Sequence, residues 1–165
     1  MYIFRLMRYK DVILYINVTL LYFAYGANMN HKHMKDACSQ SKFLKRVFLE
    51  GHKIIYDGYS DYMRRRARAN VISSEGGVVW GGLYEISETD LVSLDVSEFA
   101  PNSFDRKKTM VKDEDGKTYD VIVYSREKRE LCAPSTEYRQ TIIQGAKDCK
   151  LPQDYIRGIT YRVSG

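Results

Sequence analysis

Apolar and aromatic residues run unbroken from Leu20 to Tyr25 and stop at Gly26, Ala27 and Asn28. A run of that length closed by a glycine-containing segment predicts a buried strand that ends in a tight loop. A short helix is predicted over 31–38. Runs rich in β-branched and aromatic residues predict strands over 46–49, 53–56, 69–73 and 78–86, with Glu75, Gly76 and Gly77 supplying a turn that makes the last two hairpin partners. Ser87, followed three positions later by Asp90, is a variant capping box that opens a helix running to about Ser97, and Pro101 prevents its continuation. Strands over 107–112 and 118–124 flank Asp115 and Gly116, a strong hairpin signal. Ser135 caps a helix over 136–150, ended by Leu151 and Pro152. Strands joined by hairpins rather than by regular helical crossovers predict the α+β class with a mixed, barrel-like sheet and flanking helices.

Composition narrows the picture only a little. The 165 residues include 3 Pro and 11 Gly, with no low-complexity tract and no repeat, so one globular unit is expected, residues 20–165, behind an extension of residues 1–19 whose order the pattern leaves open. Lys and Arg exceed Asp and Glu by 26 to 21, a net charge of +5, which favours anionic ligands but falls short of what nucleic-acid binding alone demands. Cys38, Cys132 and Cys149 are an odd set without Cys-x-x-Cys spacing, so neither a disulfide framework nor a zinc knuckle is readable and a cytoplasmic setting is expected. Arg5, Arg8 and Lys10 ahead of the apolar run over 12–24 imitate a secretory signal. Asn17 and Thr19 interrupt that run, and it is too short to span a bilayer as a helix, so it reads as β-rich chain, with Met7 as an alternative start.

Two features could carry chemistry. Leu91, Leu94 and Glu98 fall at i, i+3 and i+7, which places a carboxylate on the apolar face of the predicted helix. Glu98 is also at the negative end of the helix dipole, so burial and dipole together raise its pKa and suit it to general acid/base work. The competing reading is a helix that frays before Glu98 and leaves the side chain in water. The second feature is the segment Tyr22 to Asn28, where a strand end delivers backbone N–H groups through a glycine-containing loop, a geometry that binds anions in some proteins and is a plain strand-to-helix turn in others. His31, His33 and Cys38 lack a fourth ligand and match no metal spacing, and Cys132 has no local partner signature of a nucleophile. Arg64, Arg65, Arg66 and Arg68, with Lys42, Lys45, Arg46 and the Arg106 to Lys108 run, come without any nucleic-acid-binding motif and read as solvated loops or as a fringe that attracts an acidic substrate.

Five blocks occur in one order: Tyr22-Phe23-Ala24-Tyr25-Gly26-Ala27-Asn28-Met29, Ala69-Asn70-Val71-Ile72, Val79-Trp80-Gly81-Gly82-Leu83-Tyr84-Glu85, Leu94-Asp95-Val96-Ser97-Glu98, and Ala133-Pro134-Ser135 with Tyr138. With Gly145-Ala146-Lys147 and Leu151-Pro152 they make residues 20–157 resemble the γ-glutamylcyclotransferase family. The resemblance implies a small mixed β-barrel with flanking helices and no cofactor or metal. It also implies conversion of a γ-glutamyl amino acid to 5-oxoproline and the free amino acid. It assigns Glu98 as the catalytic carboxylate. Tyr22, Phe23, Ala24, Tyr25, Gly26, Ala27 and Asn28, together with Tyr138, become the substrate-binding residues. The partner expected is a small γ-glutamyl molecule, with no nucleic acid and no membrane; a homodimer is one option, and the sequence leaves the oligomeric state open. Three positions depart from the family pattern: Ala27 where Ser is common, Phe99 where Gly follows the catalytic Glu, and Phe104 or Asp105 where Tyr is common. Those departures leave open another γ-glutamyl conjugate as substrate, or a pocket that binds without turning over.

Overall fold

The structure is a computed structural model that describes residues 5–9, 12–16, 19–58, 67–100 and 103–164. Lys10, Asn17, the Arg64 to Arg66 cluster and the helix-stopping Pro101 lie outside the described residues. Strands β1 (Arg5–Tyr9) and β2 (Val12–Ile16) pair antiparallel as a two-stranded sheet of their own. The predicted buried strand is β3 (Leu20–Ala24), followed by a single 3-10 turn (Ala27–Met29) and the helix α1 (His31–Ala37).

The four strands predicted over 46–86 are in fact two. Strand β4 (Lys42–Gly58) and strand β5 (Arg68–Ile86) pair antiparallel from Lys42 opposite Glu85 to Asp57 opposite Arg68. The expected turn at Glu75, Gly76 and Gly77 is an irregularity inside this ribbon, where the register shifts between Glu50 and His52 and both Gly51 and Gly76 take positive φ. The two halves of β5 therefore do not pair with each other, as a hairpin would require; each pairs with β4. The hairpin at Asp115 and Gly116 forms as predicted between β6 (Asp105–Lys112) and β7 (Thr118–Ser125), with Lys112 opposite Thr118. Strand order β5-β3-β7-β6-β4, closed by the β4–β5 pairing, makes a five-stranded barrel, mixed because β3 and β7 run parallel. A short strand β8 (Glu130–Leu131) adds to the end of β4.

The helices cover this barrel and share its core. Helix α2 (Glu88–Ser97) opens on the predicted capping box: Ser87 Oγ accepts from Asp90 N at 3.0 Å, and Asp90 Oδ2 accepts from Ser87 N at 3.2 Å. Helix α3 (Thr136–Asp148) is capped by Ser135 and ends two residues before the predicted limit, with Lys150 in the left-handed region at φ 54°. A further helix, α4 (Gln153–Ser164), follows Pro152 where the pattern suggested only a stop. Phe23, Val47, Leu83 and Val111 from the strands meet Met34, Leu94 and Ile142 from the helices in one core, all fully buried. Among the described residues no helix is long and apolar enough to cross a membrane.

Candidate active site

Glu98 is the C-cap of α2, its backbone N–H donating to the Leu94 carbonyl at 2.9 Å, so the helix holds to this residue rather than fraying before it. The next two residues close a Schellman turn: Phe99 N donates to Val96 O at 3.2 Å and Ala100 N to Asp95 O at 2.9 Å, with Phe99 at φ 53°. Both ends of α2 are tied to other elements. Asp90, buried in the first turn, accepts from Gln40 N at 3.3 Å, and Asp95 accepts from Tyr124 Oη at 2.6 Å and from Arg106 at 2.9 Å. The carboxylate of Glu98 is thereby held against the barrel, its side chain only 12% exposed.

The carboxylate lines a small, narrow pocket of about 340 Å³ when the solvent-filled mouth is counted. The strand-end segment lines it as well, through Tyr22, Tyr25, Gly26, Ala27 and Asn28, and so does Tyr138 from the first turn of α3. Phe23 and Ala24, expected to bind substrate, are fully buried in the core and are not part of the wall. In a strand enclosed on both sides, burial alone does not tell a pocket face from a core face. Gly26 has φ −121°, so no left-handed backbone requires glycine there. A Cβ would instead meet Ala69 Cβ at 3.2 Å and Tyr138 Oη at 3.5 Å, crowding the pocket rather than the chain. The 3-10 turn is pressed against α3 at Gly145, where a Cβ would lie 2.4 Å from Asn30 N, which fixes the turn relative to Tyr138.

Four wall residues were not assigned to the site from the sequence: Arg68, Ala69, Phe104 and Tyr124. The signal for Arg68 was present, since it belongs to the cationic run read as a fringe for an acidic substrate. Its Nη2 lies 3.5 Å from Glu98 Oε2, and its guanidinium lies 5.6 Å from the Tyr138 ring centroid. Burial pushes the Glu98 pKa up, opposed by the charges of Arg68 and Arg126. Burial likewise raises Tyr22 and Tyr138 above the ordinary phenol value, so both stay protonated. Tyr22 Oη accepts from Asn28 Nδ2 at 2.9 Å and Tyr138 Oη from Ala69 N at 3.0 Å, so each can still donate its own hydrogen to a ligand. The other two phenols point elsewhere, Tyr25 Oη donating to the Tyr124 carbonyl and Tyr124 Oη to Asp95. Among the described residues no three of His, Cys, Asp and Glu are grouped to hold a metal ion.

The AIG2-like family matches residues 78–159, which contain β5's second half, α2 with Glu98, and Tyr138. γ-Glutamylcyclotransferase of Mus musculus is 28% identical over 141 residues, covering 83% of this chain and 75% of that protein. The Homo sapiens enzyme of the same name is 27% identical over 150 residues, covering 88% and 80%. A solved structure of a γ-glutamyl cyclotransferase superposes with a TM-score of 0.80 at 24% identity, covering 87% of each chain. An uncharacterized human protein gives the same TM-score at 25% identity, covering 86% of each. The chain is γ-glutamylcyclotransferase-like in sequence and in fold. In this γ-glutamylcyclotransferase-like barrel the pocket opens where β3 ends, and the parallel pairing of Tyr22 with Ile122 beside it marks the point where strand directions change.

Proposed function

We propose that this protein cyclises γ-glutamyl amides, with Glu98 as the general acid/base. The substrate's α-amine attacks its own γ-carbonyl carbon, a five-membered ring closes, and the amide C–N bond breaks to give 5-oxoproline and a free amine. The nucleophile is already attached to the electrophile, so the protein's task is to hold the reactive conformer and to move a proton. The attacking nitrogen enters as a neutral amine after losing one proton to water. Glu98 takes the second and delivers it to the departing nitrogen, which gains its last proton from water. Tyr22 and Tyr138 offer O–H donors to the glutamyl group, and the turn Gly26 to Asn28 brings backbone N–H groups to the same wall.

The observation that carries this reading is the placement of a buried carboxylate with a raised pKa on the wall of a small pocket shared with Tyr22, Tyr138 and the 3-10 turn. Incubation with a panel of γ-glutamyl dipeptides should release 5-oxoproline. Glu98→Gln keeps the shape and removes the proton carrier, so turnover should fall by about a thousandfold or more while a non-cyclising γ-glutamyl analogue still binds. Activity within a few-fold of wild type would remove Glu98 from the role.

A further inference from the structure

We propose that Arg68 is a specificity residue that receives a carboxylate on the leaving-group side of the substrate, next to the scissile nitrogen, and so selects amines that carry one over amines that do not. This rests on the cyclisation reading above. Among the described residues, Arg68 is the sole cation on the pocket wall. Its side chain is 36% exposed against 12% for Glu98, so the pocket passes from a buried carboxylate to a more open guanidinium. The glutamyl portion has to be enclosed in order to cyclise, and the departing portion therefore extends toward the open side, where Arg68 sits.

Distances support the same placement. Glu98 must come within about 3 Å of the departing nitrogen to deliver a proton. A carboxylate on the carbon beside that nitrogen is then within a few ångströms of Glu98, and the Arg68 guanidinium is 3.5 Å from Glu98 Oε2. That contact is long compared with a charge-assisted hydrogen bond of about 2.8 Å, and the guanidinium has five N–H donors in a planar fork shaped for carboxylate. Arg68 can thus take a substrate carboxylate while still facing Glu98. An amine whose first carbon is an unsubstituted methylene offers this fork nothing.

Three substrates that differ only at this point decide the matter: γ-glutamyl-alanine, γ-glutamyl-alaninamide and γ-glutamyl-ethylamide, each assayed for 5-oxoproline with wild type, Arg68→Gln and Arg68→Lys. Wild type should favour the acid over the two neutral substrates by about tenfold to a hundredfold in kcat/KM, the range of a hydrogen-bonded charge pair. Arg68→Gln should bring that ratio close to one, and Arg68→Lys should keep part of it. Any effect of the substitution on Glu98 itself acts on all three substrates and cancels in the ratio. Should Arg68→Gln fail to fold, the wild-type ratio must itself decline as salt is raised. A wild-type ratio within about threefold of one overturns the proposal, as does a ratio that Arg68→Gln leaves unchanged, the result expected if Arg68 held the glutamyl carboxylate instead. Those outcomes leave cyclisation standing, whereas no 5-oxoproline from any of the three overturns both.

Discussion

The wall of the pocket at Phe104 depends on a buried ion pair that does not itself line the pocket, and cutting that pair should be costly. The Asp57 side chain is fully buried at the end of β4 and that of Arg126 is 5% exposed just after β7. Asp57 Oδ1 accepts from Arg126 Nη2 at 2.8 Å and Nε at 3.3 Å, and its Oδ2 accepts from Arg129 N at 2.8 Å and Asn70 Nδ2 at 3.2 Å. Arg126 Nη1 donates to Ser103 Oγ at 3.1 Å, and the guanidinium carbon lies 4.2 Å from the Phe104 ring centroid. Asp57→Ala removes two of the guanidinium's bonds and leaves its charge buried with a serine hydroxyl, a carbonyl and an aromatic face. Breaking a buried pair from one side costs about 3–5 kcal/mol, which in a chain of this size corresponds to a fall in Tm of roughly 6–20 °C. Arg126→Met should also destabilise, but the double variant Asp57→Ala, Arg126→Met should cost clearly less than the sum of the two, because no unpaired charge remains. Urea melts of all four proteins give the coupling energy directly. Additive single effects of under about 1 kcal/mol each would show that the pair is effectively solvated and that Phe104 is held by something else.

Phe99 takes φ 53° at the C′ position of α2 and is 63% exposed, so its ring contributes little while its Cβ strains the turn; Phe99→Gly should raise stability by about 0.5–1 kcal/mol, and Phe99→Ala, which keeps the Cβ, should not. Equal melting points for the Gly and Ala variants would refute the strain. Burial raises the Glu98 pKa, so the folded state binds that proton more tightly than the unfolded state does; stability should fall as pH rises from the ordinary Glu value through the raised one, by at most about 1.4 kcal/mol per pH unit. Glu98→Gln should abolish that slope and be the more stable protein at neutral pH, a gap that closes toward acid, and a Gln variant that melts lower at pH 7 would contradict the sign.

Local signals were the legible part of this sequence. Ser87 with Asp90, Ser135 ahead of α3, and Asp115 with Gly116 act within a few residues, and each forms the element that its chemistry predicts. The Glu75 to Gly77 segment was misread because punctuation by glycine marks a departure from regular strand without saying what the flanking segments pair with. Here both halves of β5 pair with β4, a fact settled by residues far away in the chain. Pro152 has the same ambiguity: it cannot continue α3, but its carbonyl accepts from Ile156 N at 3.0 Å in the first turn of α4. In the site, helix period put Glu98 on the apolar face and a strand end singled out Tyr22 to Asn28, but both kept a plain structural alternative until the resemblance assigned them, and Phe23 and Ala24 of that segment lie in the core. Arg68 and Phe104 reach the pocket only through barrel closure and the Arg126 contact, which no local pattern encodes.

The departures from the family pattern have a common physical consequence. Ala27, where the resemblance implies a serine, carries no hydroxyl, and Phe104, one of the two positions set against the family's Tyr, stacks under Arg126 rather than offering a hydrogen bond. Tyr25 and Tyr124 do not make up the difference, because their hydroxyl hydrogens are engaged with the Tyr124 carbonyl and with Asp95. Side-chain donors on the wall are then Tyr22, Tyr138, Asn28 and Arg68, and Asn28 is already donating to Tyr22. On the proposed reading, with few free hydroxyls at the enclosed end, discrimination among substrates should fall to the charged, more exposed end at Arg68. A pocket of this kind should tolerate changes at Ala27, which alter one neutral contact, far better than loss of the charge at Arg68, which lysine replaces only in part.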